Sequence, residues 1–107
     1  MDTYWDFRPD GGDTSLVVLK ARILTQYAQK HGKLSAITET GTQTRDSLWY
    51  TQLLSILRSE GVALNYVCTW SGFSPYKGHP AAADFCRFKR DTLVLFADEI
   101  PNFYTWH

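Results

Sequence analysis

The 107-residue sequence predicts an α/β fold built on parallel strands, covering only part of a larger sheet. Three observations lead there. Helix-period and strand-period segments alternate along the chain. The two clear apolar strands begin about 30 residues apart, the size of a βαβ unit. Both strands are apolar enough to be covered on their faces, yet too few strands can be placed to close or protect a sheet.

The elements follow in order. A tail of strand is expected at Asp2 to Trp5. "PDGGDT", Pro9 to Thr14, is a turn cluster. Leu16, Leu19, Ile23 and Tyr27 then recur near helical spacing, with Val17, Leu24 and Ala28 beside them, predicting a first helix. Asp13 or Ser15 can cap its start, and Gly32 can supply the left-handed residue past its end. Leu34 to Glu39 reads as a strand. "TGTQTRD" reads as a loop with Asp46 or Ser47 as the next cap. Trp49, Leu53, Ile56 and Leu57 mark a second helix, stopped by Gly61. A second strand is expected in "VALNYVCTW", Val62 to Trp70, and a loop through Ser71, Gly72, Pro75 and Gly78. Pro80 suits the first turn of a third helix carrying Phe85 and Phe88. A last short helix is expected to hold Leu93, Leu95 and Phe96 before Pro101.

Composition narrows the function. Hydrophobic residues make up 44%, so the chain is globular, and eleven basic and eleven acidic side chains cancel. With no net charge and no basic block, neither nucleic acid nor an anionic membrane is indicated as partner. No apolar run is long enough to span a bilayer. After Met1 the acidic and aromatic "DTYWDF" is unlike a signal peptide. Cys68 and Cys86, the two cysteines, sit in apolar contexts and read as free and buried. Neither has metal-site spacing with His31, His79 or His107, so no metal or cofactor is expected.

In parallel α/β folds reactive residues gather at the C-terminal ends of strands. Glu39 ends the first full strand, Trp70 ends the second, and "DTYW" stands where an earlier strand would end. By period-two alternation Glu39 shares a face with Ile37 and Ser35, and Trp70 with Cys68 and Tyr66. An acid among aromatics at such a rim suits glycoside hydrolysis. A carboxylate can attack or stabilise a cationic sugar transition state, an aromatic ring can stack on the sugar, and a tyrosine hydroxyl can hold the carboxylate ionised. The residues also admit plainer readings: Glu39 as a solvated acid, Trp70 as core, Tyr4 as an ordinary aromatic near a terminus. His79, in the loop after the second strand, is a candidate rim contact. Asp10, Asp13, Asp46 and Asp91 read as turn or cap residues.

Four blocks then carry a resemblance. "DTYW", "KLSAITETG", "ALNYVCTW" and "GHPAAADFCRFKRDTLVLFADEIP", in that order over roughly residues 1 to 104, resemble the C-terminal part of glycoside hydrolase family 26. That family is best known for endo-β-1,4-mannanases with (β/α)₈ barrels. The resemblance implies the end of the sixth strand, the seventh and eighth strands and the closing helices. It makes Glu39 the nucleophile of a retaining double displacement and Tyr4 its hydrogen-bond donor. Trp70 would line the subsite of the sugar under attack, with Trp5 and His79 as further substrate contacts. The partner it implies is β-mannan or a related polysaccharide. Ser71 and Gly72 stand where the family often has arginine and asparagine, which leaves β-1,3-xylan or mixed-linkage glucan open as substrates. The family's acid/base glutamate ends the fourth strand, and no position here matches it. The expectation is therefore a fragment beginning at an internal methionine, inactive and poorly soluble without the N-terminal half of the barrel, from a protein secreted or periplasmic like its family. A stand-alone α/β binding module is the alternative from a different class.

Overall fold

The computed structural model describes residues 1–4, 6–7, 13–42, 46–70 and 75–102. Among these the architecture is α/β: three α-helices and a two-stranded parallel sheet, in the order α1 (Ser15–His31), β1 (Ala36–Thr40), α2 (Trp49–Leu57), β2 (Tyr66–Thr69) and α3 (Ala82–Lys89). A parallel bridge between Asp2 and Glu39 sets the N-terminal segment on the other side of β1 from β2. The sheet order therefore follows chain order, with β1 central and a helix in each crossover.

The first three expected helices and the two full strands form, with shifted bounds. Asn65 donates its N–H to the Ser35 carbonyl (2.7 Å) and Trp70 to the Thr40 carbonyl (2.7 Å), so strand pairing runs one residue past β2 at each end. Gly32 ends α1 at φ 59°, where its missing Cβ avoids the left-handed penalty. Asp13 accepts the Ser15 N–H at 2.8 Å, and Asp46 accepts the Leu48 N–H at 2.9 Å ahead of α2. The α2 helix closes at Leu57, before Gly61, which serves the following turn at φ 78°. Pro80 lies in the turn ahead of α3 rather than within it.

Two expectations about packing and one about a helix are corrected. The stripe Leu16, Leu19, Ile23 and Tyr27 is exposed, and α1 instead buries Val17, Ala21, Thr25 and Ala28. Val17 joins Ile37, Trp49, Tyr50, Leu53 and Ile56 in the core. Cys68 and Cys86 are free but exposed, Cys68 on β2 and Cys86 on an outward-facing position of α3. Leu93 and Leu95 are exposed, and no α-helix holds them; a 3₁₀ turn forms at Ala97–Glu99 instead. Phe96 precedes that turn in extended backbone and packs edge-on against Phe85 and Phe88. An apolar groove of about 730 Å³ opens beside β2, lined by residues including Leu57, Val67, Phe85, Phe88, Leu95 and Ile100.

Two polar anchors tie the helices together. Asp84, 1% exposed, reaches from α3 to the first turn of α2. There it accepts the Thr51 N–H (2.8 Å) and the Thr51 hydroxyl (2.5 Å), and Arg87 supports it at 3.2 Å. It thus caps a helix that begins at Leu48 without a capping side chain of its own. Burial, then the Asp84 charge, pushes the neighbouring Tyr50 phenol to about 12. Arg58, after α2, holds both oxygens of Asp91 through one nitrogen (2.6 and 2.7 Å). Asp91 also accepts the Leu93 N–H (2.9 Å), fulfilling the turn role expected of it.

Arg58 and then the Leu93 N–H hold the Asp91 carboxyl below its ordinary value of 3.8. A carboxyl depressed by folding stabilises the fold above its unfolded pKa and stops doing so as pH falls through its folded pKa. Urea unfolding of the parent and Asp91→Asn should therefore differ from pH 5 to 7, and the gap should close as pH drops below about 4. A gap that is constant down to pH 2 would show that the charge of Asp91 contributes nothing.

Candidate active site

The C-terminal end of β1 carries an irregularity that decides where Glu39 points. Ile37 pairs with Val67 and Thr40 with Thr69, so three steps along β1 match two along β2. The extra residue is a β-bulge. Without it, alternation would put Glu39 on the Ile37 face, as the sequence suggested. With it, Ile37 and Thr40 are both fully buried, while Thr38 is exposed and Glu39 half-buried. The bulge thus turns Glu39 away from the helix-covered face to the open one, and the shared face with Ile37 and Ser35 is corrected accordingly.

The N-terminal segment fastens this bulge from its other side. Thr38 donates its N–H to the Met1 carbonyl (2.8 Å), and Thr3 donates its own to the Glu39 carbonyl (2.9 Å). The Thr38 hydroxyl donates to Asp2 Oδ1 at 2.6 Å. Tyr4 Oη donates to Glu39 Oε2 at 3.3 Å, joining residues 35 positions apart. Burial, then the Glu39 charge and its hydrogen bond, then the Asp2 charge raise the Tyr4 phenol above its ordinary value. Tyr4 therefore remains a protonated donor at neutral pH, directed at one oxygen of the Glu39 carboxyl group.

The remaining candidates are placed as follows. Trp70 comes one residue after Thr69, whose partner Thr40 faces the core, so alternation turns Trp70 to the same open face as Glu39. Its 52% exposure leaves an aromatic surface available there rather than in the core. Tyr66 shares that face and the same degree of exposure. Trp5, Ser71 and Gly72 lie outside the described residues. His79 belongs to a separate cluster before α3: its Nδ1 accepts the Ala81 N–H (3.0 Å), and its ring meets Tyr76 edge-on at 5.2 Å. With Nδ1 an acceptor, the neutral ring carries its proton on Nε2.

Asp2 and Thr38 were not singled out from the sequence. The usable signal for Asp2 was its spacing from Tyr4, since two residues apart on a strand share a face. Thr38 owes its place to the bulge, which alternation cannot show. Among the described residues no three His, Cys, Asp or Glu side chains lie close enough together to hold a metal ion, and no helix is long and apolar enough to cross a membrane.

Neither a scan against protein-family models nor a search of curated proteins finds a match to this chain.

Proposed function

We propose that this chain is the nucleophile-bearing part of a retaining glycoside hydrolase of the family 26 endo-β-mannanase type, the C-terminal part of a (β/α)₈ barrel. The observation that carries the reading is the Tyr4–Glu39 hydrogen bond between the C-terminal end of β1 and the N-terminal segment bridged in parallel to it. A sheet ordered as the chain runs, with helices in the crossovers, suits a barrel. The exposed stripe on α1 and the open groove beside β2 suit surfaces that further barrel elements cover.

In this reading Glu39 attacks the anomeric carbon with the oxygen that Tyr4 leaves free. The leaving oxygen takes a proton from a second carboxyl, and a glycosyl ester forms on Glu39. Water, deprotonated by that second carboxyl, then releases the sugar with its anomeric configuration retained. The second carboxyl must stand about 5–5.5 Å from the first. In the family it ends the fourth strand, which these residues do not match. The exposed ring of Trp70 offers the apolar face of the sugar a stacking surface beside Glu39.

The test is hydrolysis by the full-length protein of a panel holding β-1,4-mannan, β-1,3-xylan and mixed-linkage glucan, with the product anomer followed by NMR. Cleavage of mannan with retention is expected, and the 107-residue chain alone should turn over none of the three. Failure of the full-length protein on every β-glycan would remove the proposal. Preference for xylan or glucan would keep the mechanism and change the substrate.

A further inference from the structure

We propose that Thr38 and Asp2 are a positioning pair, a side-chain clasp across the bulge that keeps Glu39 directed at Tyr4; its catalytic meaning rests on the hydrolase reading above. A bulge leaves its extra residue without a regular partner on one neighbour, so the direction of its side chains is set by whatever holds the other side. Here that other side is the segment 1–4. It contributes two backbone bonds flanking the bulge, a bond from the Met1 amino group to the Ala36 carbonyl (2.7 Å), and two side-chain bonds, of which the 2.6 Å contact from the Thr38 hydroxyl to Asp2 Oδ1 is the shorter. Tyr4 stands two residues beyond Asp2 on the same segment and meets Glu39 at 3.3 Å. One clasp therefore links both partners of the Tyr4–Glu39 bond: Thr38 is chain neighbour to Glu39, and Asp2 lies on the segment that carries Tyr4.

The chemical consequence is specific. If the clasp opens, segment 1–4 and the bulge can move apart, and the longest bond across them, that of Tyr4 to Glu39, yields first. Glu39 would then lose its orientation. Thr38 is exposed and belongs neither to the core cluster nor to the groove lining, so its hydroxyl can be removed without opening a cavity in the core.

The experiment uses the full-length protein, labelled with ¹³Cζ-tyrosine and with the Tyr4 signal assigned by its loss in Tyr4→Phe, and compares the parent with Thr38→Val and Thr38→Ser. Thr38→Val keeps the shape and strand preference of threonine but cannot donate. Its expected effect is a fall of the Tyr4 phenol titration toward the ordinary phenol range, with faster exchange of the Thr3 amide proton. Exchange at Ile37, in the core, should stay unchanged and so report an intact fold. Thr38→Ser restores the donor and should restore both readings. A Tyr4 titration that does not move in Thr38→Val, with Ile37 still protected, overturns the clasp. The readings need no turnover. A failed clasp leaves the hydrolase reading standing, and failure to cleave any β-glycan removes that reading without altering these NMR results.

Discussion

If the proposed hydrolase reading holds, replacing Glu39 with alanine in the full-length protein should lower kcat on β-mannan by on the order of 10⁴–10⁶-fold, the range seen when a member of a covalent catalytic set is lost. Km should change little, because the carboxylate is needed for the bond-forming step rather than for holding the polysaccharide. The companion variant Tyr4→Phe removes one hydrogen bond to a charged group, worth about 1.5–3 kcal/mol. It should therefore cost about 10- to 150-fold in kcat, far less than loss of Glu39. That ranking follows from the proposed roles, in which Tyr4 holds Oε2 and the attack would use the other oxygen. Equal losses in the two variants would mean that Tyr4 takes a direct part in the chemistry.

The second large effect concerns stability. Asp84→Ala should destabilise the fold by about 2–4 kcal/mol, combining a lost helix cap with the loss of charge-assisted bonds to buried donors. Thr51 would keep an unpaired N–H in the first turn of α2, next to Tyr50 and the core residue Leu53. Asp84→Asn retains one acceptor oxygen and should cost about half as much. Urea midpoints followed by circular dichroism read both variants. Identical midpoints for Asp84→Ala and the parent would mean that α2 is capped by other means. This carboxylate lies far from the Tyr4–Glu39 pair in its contacts, so its variants should leave the Tyr4 titration unchanged wherever the protein remains folded.

Much of the fold is legible in the sequence because local signals and topology agree. Gly32 and Asp91 do what their residue types suggest, and the helix–strand alternation is the observed one. The misreadings have physical causes. In α1 both faces have helical spacing, and hydrophobicity favours the bulky stripe, yet the small face is the buried one. In "AITET" strict alternation points Glu39 toward the core, and only the pairing with β2 reveals the bulge that turns it outward. Asp84 and Thr51 are 33 positions apart, so their capping bond needs the packing of α3 on α2 to exist. The Tyr4–Glu39 pair was approached from the sequence by strand-end position and by resemblance; the structure adds the bond, the bulge and the Asp2–Thr38 clasp around it.

The most direct measurement is to trap the glycosyl–enzyme ester. The full-length protein is incubated with a 2-deoxy-2-fluoro-mannosyl fluoride, digested and sequenced by mass spectrometry. The fluoro-mannosyl adduct should appear on the peptide containing "AITETG", at Glu39. A protein that cleaves β-mannan but carries the adduct on another residue, or releases product with inverted configuration, would contradict the assignment.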